Sequence, residues 1–182
     1  RGKLDGNRMA DVQVIFRQQP KVSGGNNHFG SRLVWARDGR LFVGLGDRFT
    51  RKDDAQTLDN HMGKVVRIEA DGKPAADNPF VSRAGAKAEI WSYGHRNIQA
   101  AALHPTSGEL WTVEHGPQGG DELNVPAAGA NHGWPVITYG RNYGIGTKIG
   151  DGTERADVAA PLRYWIPSIA PSGMAFLTSD RY

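Results

Sequence analysis

The chain of 182 residues has no cysteine. That excludes disulfides and thiol chemistry but leaves the compartment open, because many periplasmic proteins also lack cysteine. No apolar stretch is long enough to span a bilayer. The chain opens at Arg1, without Met and without a signal-type leader, so any export signal would have to lie upstream. Charge is not one-sided either. The 22 basic and 19 acidic residues leave a net charge of +3 and are scattered along the chain. With no basic stripe, nucleic acid is not an expected partner. No GxSxG elbow, HExxH pair, phosphate-binding P-loop or dinucleotide fingerprint occurs, and no long amphipathic helix is visible.

What the sequence does have is turns. It carries 24 glycines and 10 prolines between short apolar runs, with a mean hydropathy of -0.52, the composition of a loop-rich β protein. It also repeats itself. Ser31-Arg32-Leu33-Val34-Trp35 and then Asp38-Gly39-Arg40-Leu41-Phe42-Val43 recur as Ala100-Ala101-Ala102-Leu103-His104 and Ser107-Gly108-Glu109-Leu110-Trp111-Thr112. Leu41 and Leu110 stand 69 residues apart, as do Trp35 and His104. Ser172-Gly173-Met174-Ala175-Phe176-Leu177 opens a third copy. Short strands with tight turns cannot bury an apolar face alone, so neighbouring copies must stack.

Within the first unit the pattern predicts strands at Leu33 to Trp35, Arg40 to Gly44, Lys64 to Ile68 and Glu89 to Tyr93, with a hairpin turn at Asp38-Gly39. Four strands make one propeller blade. A further strand is expected at Asp11 to Phe16. The second unit repeats the plan through Leu110 to Val113 and Glu122 to Val125. A helical turn is expected near Ala55 to Asp59. The segments 48–60 and 71–85 carry the excess length, and long loops in compact folds tend to be functional. The fold class is therefore an all-β, partial β-propeller. Residues 1–27 end one blade, 28–97 and 98–168 form two, and 169–182 begin the next.

Four constellations carry candidate chemistry. His28, flanked by glycines in Gly24-Gly25-Asn26-Asn27-His28-Phe29-Gly30, suits a general base because imidazole exchanges protons near neutral pH; a hydrogen-bonded loop histidine is the plain alternative. Tyr93-Gly94-His95-Arg96-Asn97 joins the two units. Arg96 there offers a planar cation to an oxyanion, or else an inter-blade salt bridge. Glu114-His115-Gly116-Pro117-Gln118-Gly119-Gly120-Asp121-Glu122 gathers carbonyls and carboxylates of the kind calcium prefers, or forms an acidic surface turn. Asn131-His132-Gly133-Trp134-Pro135 reads as a structural turn around a buried indole.

Taken together and in this order, these segments resemble the glucose/sorbosone dehydrogenase family of six-bladed β-propellers, in particular its soluble aldose sugar dehydrogenases. The resemblance runs through Asn27-His28-Phe29-Gly30-Ser31-Arg32-Leu33, Met62-Gly63-Lys64-Val65-Val66-Arg67 and Asp77-Asn78-Pro79-Phe80. It continues through Glu89 to Asn97, Glu114 to Pro117, Gly120 to Asn124, Gly133-Trp134-Pro135 and Ser172 to Phe176.

It implies a periplasmic or secreted quinoprotein that uses pyrroloquinoline quinone and calcium, acts on aldoses and passes electrons to an external acceptor. It implies His28 as the base that takes the anomeric hydroxyl proton while hydride passes to the quinone. Arg96 and Asn97 would lie beside the quinone oxygens, the Gly116 and Pro117 carbonyls would hold calcium, and Asp121 and Glu122 a further calcium. Three positions depart from the glucose dehydrogenase branch. Asn27 replaces an acid, leaving orientation of the imidazole by a carboxylate open. Arg48, counted with the cofactor-facing residues, replaces a Gln and points to a different sugar preference. His132 replaces a Tyr. The Lys and Arg residues that grip the quinone carboxylates in the family fall beyond Tyr182, so the isolated chain is expected to bind the cofactor weakly. A non-catalytic propeller that binds glycan or protein, and a calcium-dependent sugar lactonase, are the alternatives from other classes. Oligomeric state is not legible.

Overall fold

The structure, a computed structural model, describes residues 1–180. A hairpin of β1 (Lys3–Asp5) and β2 (Arg8–Ala10) precedes two four-stranded antiparallel sheets. The first sheet runs β3 (Gly30–Trp35), β4 (Leu41–Leu45), β5 (Lys64–Ile68), β6 (Ile90–Tyr93) in sequence order; the second runs β7 (Ile98–Leu103), β8 (Leu110–Glu114), β9 (Asp121–Asn124), β10 (Arg163–Trp165). Among the described residues the one helical element is a 3-10 turn, Lys52–Gln56, slightly upstream of its expected place.

The sheets meet face to face because β4 and β5 have no polar face toward solvent. Leu41, Val43 and Leu45 alternate onto one side with Val66 and Ile68. Phe42 and Val65 alternate onto the other, where they meet Ile98 and Leu110 of the second sheet. Strands buried on both faces read as continuous apolar runs, which is how β4 reads. β5 has two exceptions, Arg67, which pairs with Asp38 and Asp77, and Lys64. Lys64 is fully buried, and its ammonium donates to the carbonyls of Asp54 (2.9 Å), Ala55 (3.2 Å) and Met62 (2.5 Å).

The repeat is structural. Trp35 pairs with Leu41 in the first sheet, and Leu103 with Leu110 in the second. The residue equivalent to Trp35 is therefore Leu103 rather than His104, because the second hairpin connection is one residue longer. Each first strand also bulges near its start, between Gly30 and Arg32 and between Ile98 and Ala100.

Two expected strands are not formed. Residues 11–16 join no sheet among the described residues: Asp11 turns at a φ of 51°, and Ile15 and Phe16 cover the apolar side of β4 and β5. Ser172 to Leu177 also lacks a strand partner. Phe176 lies edge-on to His104 and Trp111, with ring centroids 5.1 and 5.3 Å away, along the face of the second sheet. The blade expected to start at 169–182 runs into Arg181 and Tyr182, which lie outside the described residues. Strand β10, three residues without alternation, was not legible in the sequence.

Candidate active site

Strands β3 and β7 start, and β4 and β8 end, at one rim, so the residues just outside them are brought together. The chain enters β3 through His28, whose φ of 53° lies in the left-handed region. Behind it the loop after β4 passes so closely that a Cβ on Gly46 would run into the His28 carbonyl. Only glycine fits there, and the next residue is thereby aimed at the imidazole. Asp47 Oδ1 lies 2.6 Å from His28 Nδ1. Asp47 is fully buried and its remaining capacity is also used. Its Oδ1 accepts the Phe49 backbone N–H at 2.7 Å, and its Oδ2 accepts the Trp134 indole N–H at 2.7 Å. The Asp47 backbone N–H donates to the Arg96 carbonyl at 2.9 Å, which ties the base loop to the arginine loop.

Arg96 sits between two aromatic rings, with its guanidinium carbon 5.3 Å from the Trp134 ring centroid and 6.0 Å from that of Tyr143. Nη1 donates to the carbonyls of His115 (2.9 Å) and Gly116 (2.5 Å), and Nη2 to the Tyr143 hydroxyl (3.3 Å); Nε is buried and unpartnered. Among the described residues Arg96 therefore forms no salt bridge. Its own backbone N–H is fixed by Glu114, whose Oε2 accepts it at 2.5 Å while Oε1 accepts from His95 Nδ1 at 2.8 Å. Burial pushes the Glu114 carboxyl up, but the His95 charge and these bonds outweigh it and hold the pKa below the usual range.

His28, Asp47, Arg96, Pro117, Trp134 and Tyr143 line one cavity of about 230 Å³, together with Phe49, Lys52, Asn142 and Ile149. Three larger cavities, about 480, 470 and 390 Å³, lie elsewhere: one beside Tyr139 and Glu154, one at the opposite rim between the Asp38 and Gly108 turns, and one between Leu58 and Gly85. None contains a base aimed by a buried acid. The reactive groups are at the smaller one.

Other expected site residues lie apart from it. Asn97 Oδ1 accepts from Gly30 N (3.3 Å) and Gln99 Nε2 (2.9 Å), pinning β3 to β7. Arg48 turns away, stacked 4.0 Å over the Phe29 ring and donating to the carbonyls of Gly25 and Asn27. Asp121 is fully buried and holds turns in place: Oδ1 accepts from Gly116 N, and Oδ2 from Ser168 and from Ile169 and Ala170 N–H. The Glu122 carboxyl lies deep beside Glu114, and burial first, then Glu114 and Asp121, push its pKa up to about 8. His132 has neither ring nitrogen bonded; burial and then the neighbouring His95 draw its pKa down to about 3. Among the described residues no group of three or more His, Cys, Asp or Glu is set to hold a metal ion, and no helix is long and apolar enough to cross a membrane.

The sequence reading missed Asp47 and took Trp134 as purely structural. Asp47 had one signal, its place directly after the end of a predicted strand at the same rim as His28. Phe49 and Lys52 had only the excess length of segment 48–60 to mark them, and Tyr143 had no signal.

The profile of the glucose/sorbosone dehydrogenase family matches residues 1–182, and the chain belongs to that family. It is 48% identical over 180 residues to the aldose sugar dehydrogenase YliI of Escherichia coli, covering 98% of this chain and 48% of that protein. The crystal structure of the soluble aldose sugar dehydrogenase of Escherichia coli in the apo-form superposes with a TM-score of 0.94 at 47% identity, over 100% of this chain and 52% of the other. The PQQ-bound form of the aldose sugar dehydrogenase of Streptomyces coelicolor gives 0.74 at 31% identity, over 96% and 46%. The chain thus spans about half the length of the curated relatives it matches. Its two sheets are part of a β-propeller.

Proposed function

We propose that this chain supplies the base-bearing part of the active site of a quinone-dependent aldose dehydrogenase. The reaction oxidises the anomeric carbon of an aldose to a lactone, and the electrons pass to an external acceptor in the periplasm or outside the cell. The observation that carries this reading is the His28–Asp47 pair, 2.6 Å apart, facing the same cavity as Arg96. An imidazole whose Nδ1–H is donated to a carboxylate keeps Nε2 unprotonated and aimed. His28 Nε2 therefore takes the proton of the anomeric hydroxyl. Asp47 steadies the imidazolium that results, since a buried carboxylate interacts strongly with a nearby positive charge.

The residues present fit a flat, anionic cofactor. Trp134 and Tyr143 give aromatic walls, and Arg96 between them carries an unpartnered buried Nε. Pyrroloquinoline quinone, when bound, supplies the acceptor for the anomeric hydride. Arg96 would sit where negative charge develops, which a fixed cation stabilises without reorganising. Asn97 contributes by fixing the start of β3 through Gly30 N. Calcium fits the carbonyl oxygens of Gly116 and Pro117 in kind, being a hard cation that takes such donors. The Gly116 oxygen would then exchange the Arg96 guanidinium for the ion. A second calcium at Asp121 and Glu122 is not carried into this proposal, because both Asp121 oxygens are already bonded and Glu122 holds its proton to about pH 8.

The test uses the full-length protein that carries this chain, loaded with pyrroloquinoline quinone and calcium, with glucose and an artificial dye as acceptor. Dye reduction is expected, and His28→Ala should lower its rate ~10²–10⁴-fold with an unchanged circular dichroism spectrum. A protein that reduces no dye, or a variant as fast as the parent, overturns the proposal.

A further inference from the structure

The cavity beside His28 contains charges that are used and one that is not. Asp47 is the one carboxylate lining it, and three donors already claim that carboxylate. The Arg96 guanidinium is committed to His115, Gly116 and Tyr143, and Arg48 is turned toward the 24–27 loop. Lys52 also lines the cavity, is exposed, and among the described residues has no hydrogen bond or ion pair to its ammonium. The neighbouring acids do not neutralise it from within the cavity. Asp54 pairs with Arg51, and Asp53 is exposed and not part of the lining.

The backbone that presents Lys52 is held firmly. Lys52 opens the 3-10 turn Lys52–Gln56, whose Ala55 is fully buried. The Asp54 and Ala55 carbonyls receive the buried Lys64 ammonium, and the Gln56 amide donates to Asn131 (3.0 Å) and to the Trp134 carbonyl (2.7 Å). The ammonium thus swings on a four-carbon stem from a fixed point at the cavity edge. A compact, rotatable point charge of this kind accepts a carboxylate or a phosphate without demanding bidentate geometry.

We propose that Lys52 selects aldoses that carry an anionic group remote from the anomeric carbon, the class to which uronic acids and sugar phosphates belong. This rests on the dehydrogenase reading above. Lys52 takes no part in proton or hydride transfer. It is a specificity residue that pairs with the far end of the sugar while His28 meets the anomeric end. An exposed ion pair is weak and screened by salt, so the preference is modest.

The experiment compares the full-length protein with its Lys52→Gln variant, both loaded with pyrroloquinoline quinone and calcium, on glucose, glucuronate and glucose 6-phosphate. The expected result is a fall of about five- to tenfold in kcat/KM for one or both acidic sugars, carried by KM, as expected when a uniform binding contact is removed. Glucose should stay within about twofold, and the gap should close at high salt. A fall confined to glucuronate identifies a carboxylate site, and one confined to glucose 6-phosphate a phosphate site. Fluorescence titration of the apo-protein with pyrroloquinoline quinone should give the same affinity for both proteins. Equal loss on neutral and acidic sugars, no loss on any, or weaker quinone binding by the variant overturns the proposal; the last would assign Lys52 to the cofactor. If the parent protein turns over no aldose at all, the dehydrogenase reading fails and takes this inference with it.

Discussion

The two repeat units build one and the same contact out of different chemistry. His28 and Arg96 stand 68 residues apart, each just ahead of the first strand of its sheet, and Asp47 and Gly116 stand 69 apart, each just past the second strand. The backbone brackets match as well: Gly46 N–H donates to the Phe29 carbonyl, and His115 N–H to that of Asn97. In both units the residue entering the first strand touches the residue leaving the second. In one the touch is His28 on the Asp47 carboxylate; in the other it is Arg96 on the Gly116 carbonyl. Repetition explains why both lie on one rim, and the substitution at a single pair of positions explains why one unit carries a base and the other a cation. Both acceptors hold their donors, but the carboxylate brings a charge that steadies an imidazolium, whereas the neutral carbonyl can release its donor and take a cation instead.

The sharpest way to break the comparison is to remove the acid from the first pair. In Asp47→Asn an amide must face both His28 Nδ1 and the Trp134 indole N–H. If its oxygen serves the indole, its NH₂ donates to Nδ1 and the proton moves to Nε2, leaving no lone pair for the substrate. Loss of the equivalent acid in a triad costs about 10⁴ in kcat through the wrong tautomer. Here a fall of about 10²–10⁴ is expected in the dye-reduction rate of the full-length protein, with folding retained. A loss below about threefold would show that Asp47 is only a loop anchor and that the resemblance between the two pairs is accidental.

Much of this arrangement was legible in the sequence, and the reasons differ by element. Strand β4 announces itself because burial on both faces demands an apolar run, β5 and β8 because their apolar residues recur between turn signals, and the Asp38-Gly39 turn because Gly39 takes a φ of 83°. His28, Arg96 and Pro117 were visible as candidates and do share one cavity. Asp11 to Phe16 misled because Ile15 and Phe16 serve as a cover over β4 and β5 while Val12 and Val14 stay exposed, so the alternation of the segment reports no pairing. Asp47 was hidden for another reason. The carboxylate was sought next to His28 in sequence, at Asn27, while the fold supplies it from 19 residues away. Contacts between loops at one rim follow from strand register, which local patterns do not encode.

The second pair can be stressed through its backbone. Gly116 has no room for a side chain, since a Cβ there would run into the carbonyls of Gly119 and Gly120. Gly116→Ala must therefore shift the turn that presents the carbonyl to Arg96. A stability loss of about 2–3 kcal/mol is expected, the scale of overpacking a site that cannot yield, read as a lower midpoint in urea. Calcium should rescue less of the variant's dye-reducing activity than the parent's. An alanine variant as stable as the parent would mean the second pair is looser than the first and is not its structural counterpart.

The smallest expected effect tests how each unit handles an ionisable side chain at the start of its third strand, fully buried at Lys64 and half-buried at Glu122. The register pairs Gly44 with Val65 and Glu114 with Glu122, so Lys64, next to Val65, falls opposite Leu45 as Glu122 falls opposite Glu114. Burial draws the Lys64 pKa down to about 7, but three carbonyls receive its protons. Glu122 has one donor, Asn124 at 3.2 Å, and acidic neighbours that push the same way as burial, to about 8. For an acid whose pKa is raised by folding, the native state binds more protons than the unfolded chain between the two pKa values, so stability falls as pH rises through that window. Glu122→Gln removes this dependence. In calcium-free buffer the variant and parent should be equally stable near pH 4.5, with the variant ahead by about 1–2 kcal/mol above pH 8, a fraction of the full shift because neighbours rearrange. If instead the parent is the more stable at neutral pH and the gap closes as pH falls toward 4, Glu122 is ionised and paired in the native protein, and the second unit compensates its charge as thoroughly as the first.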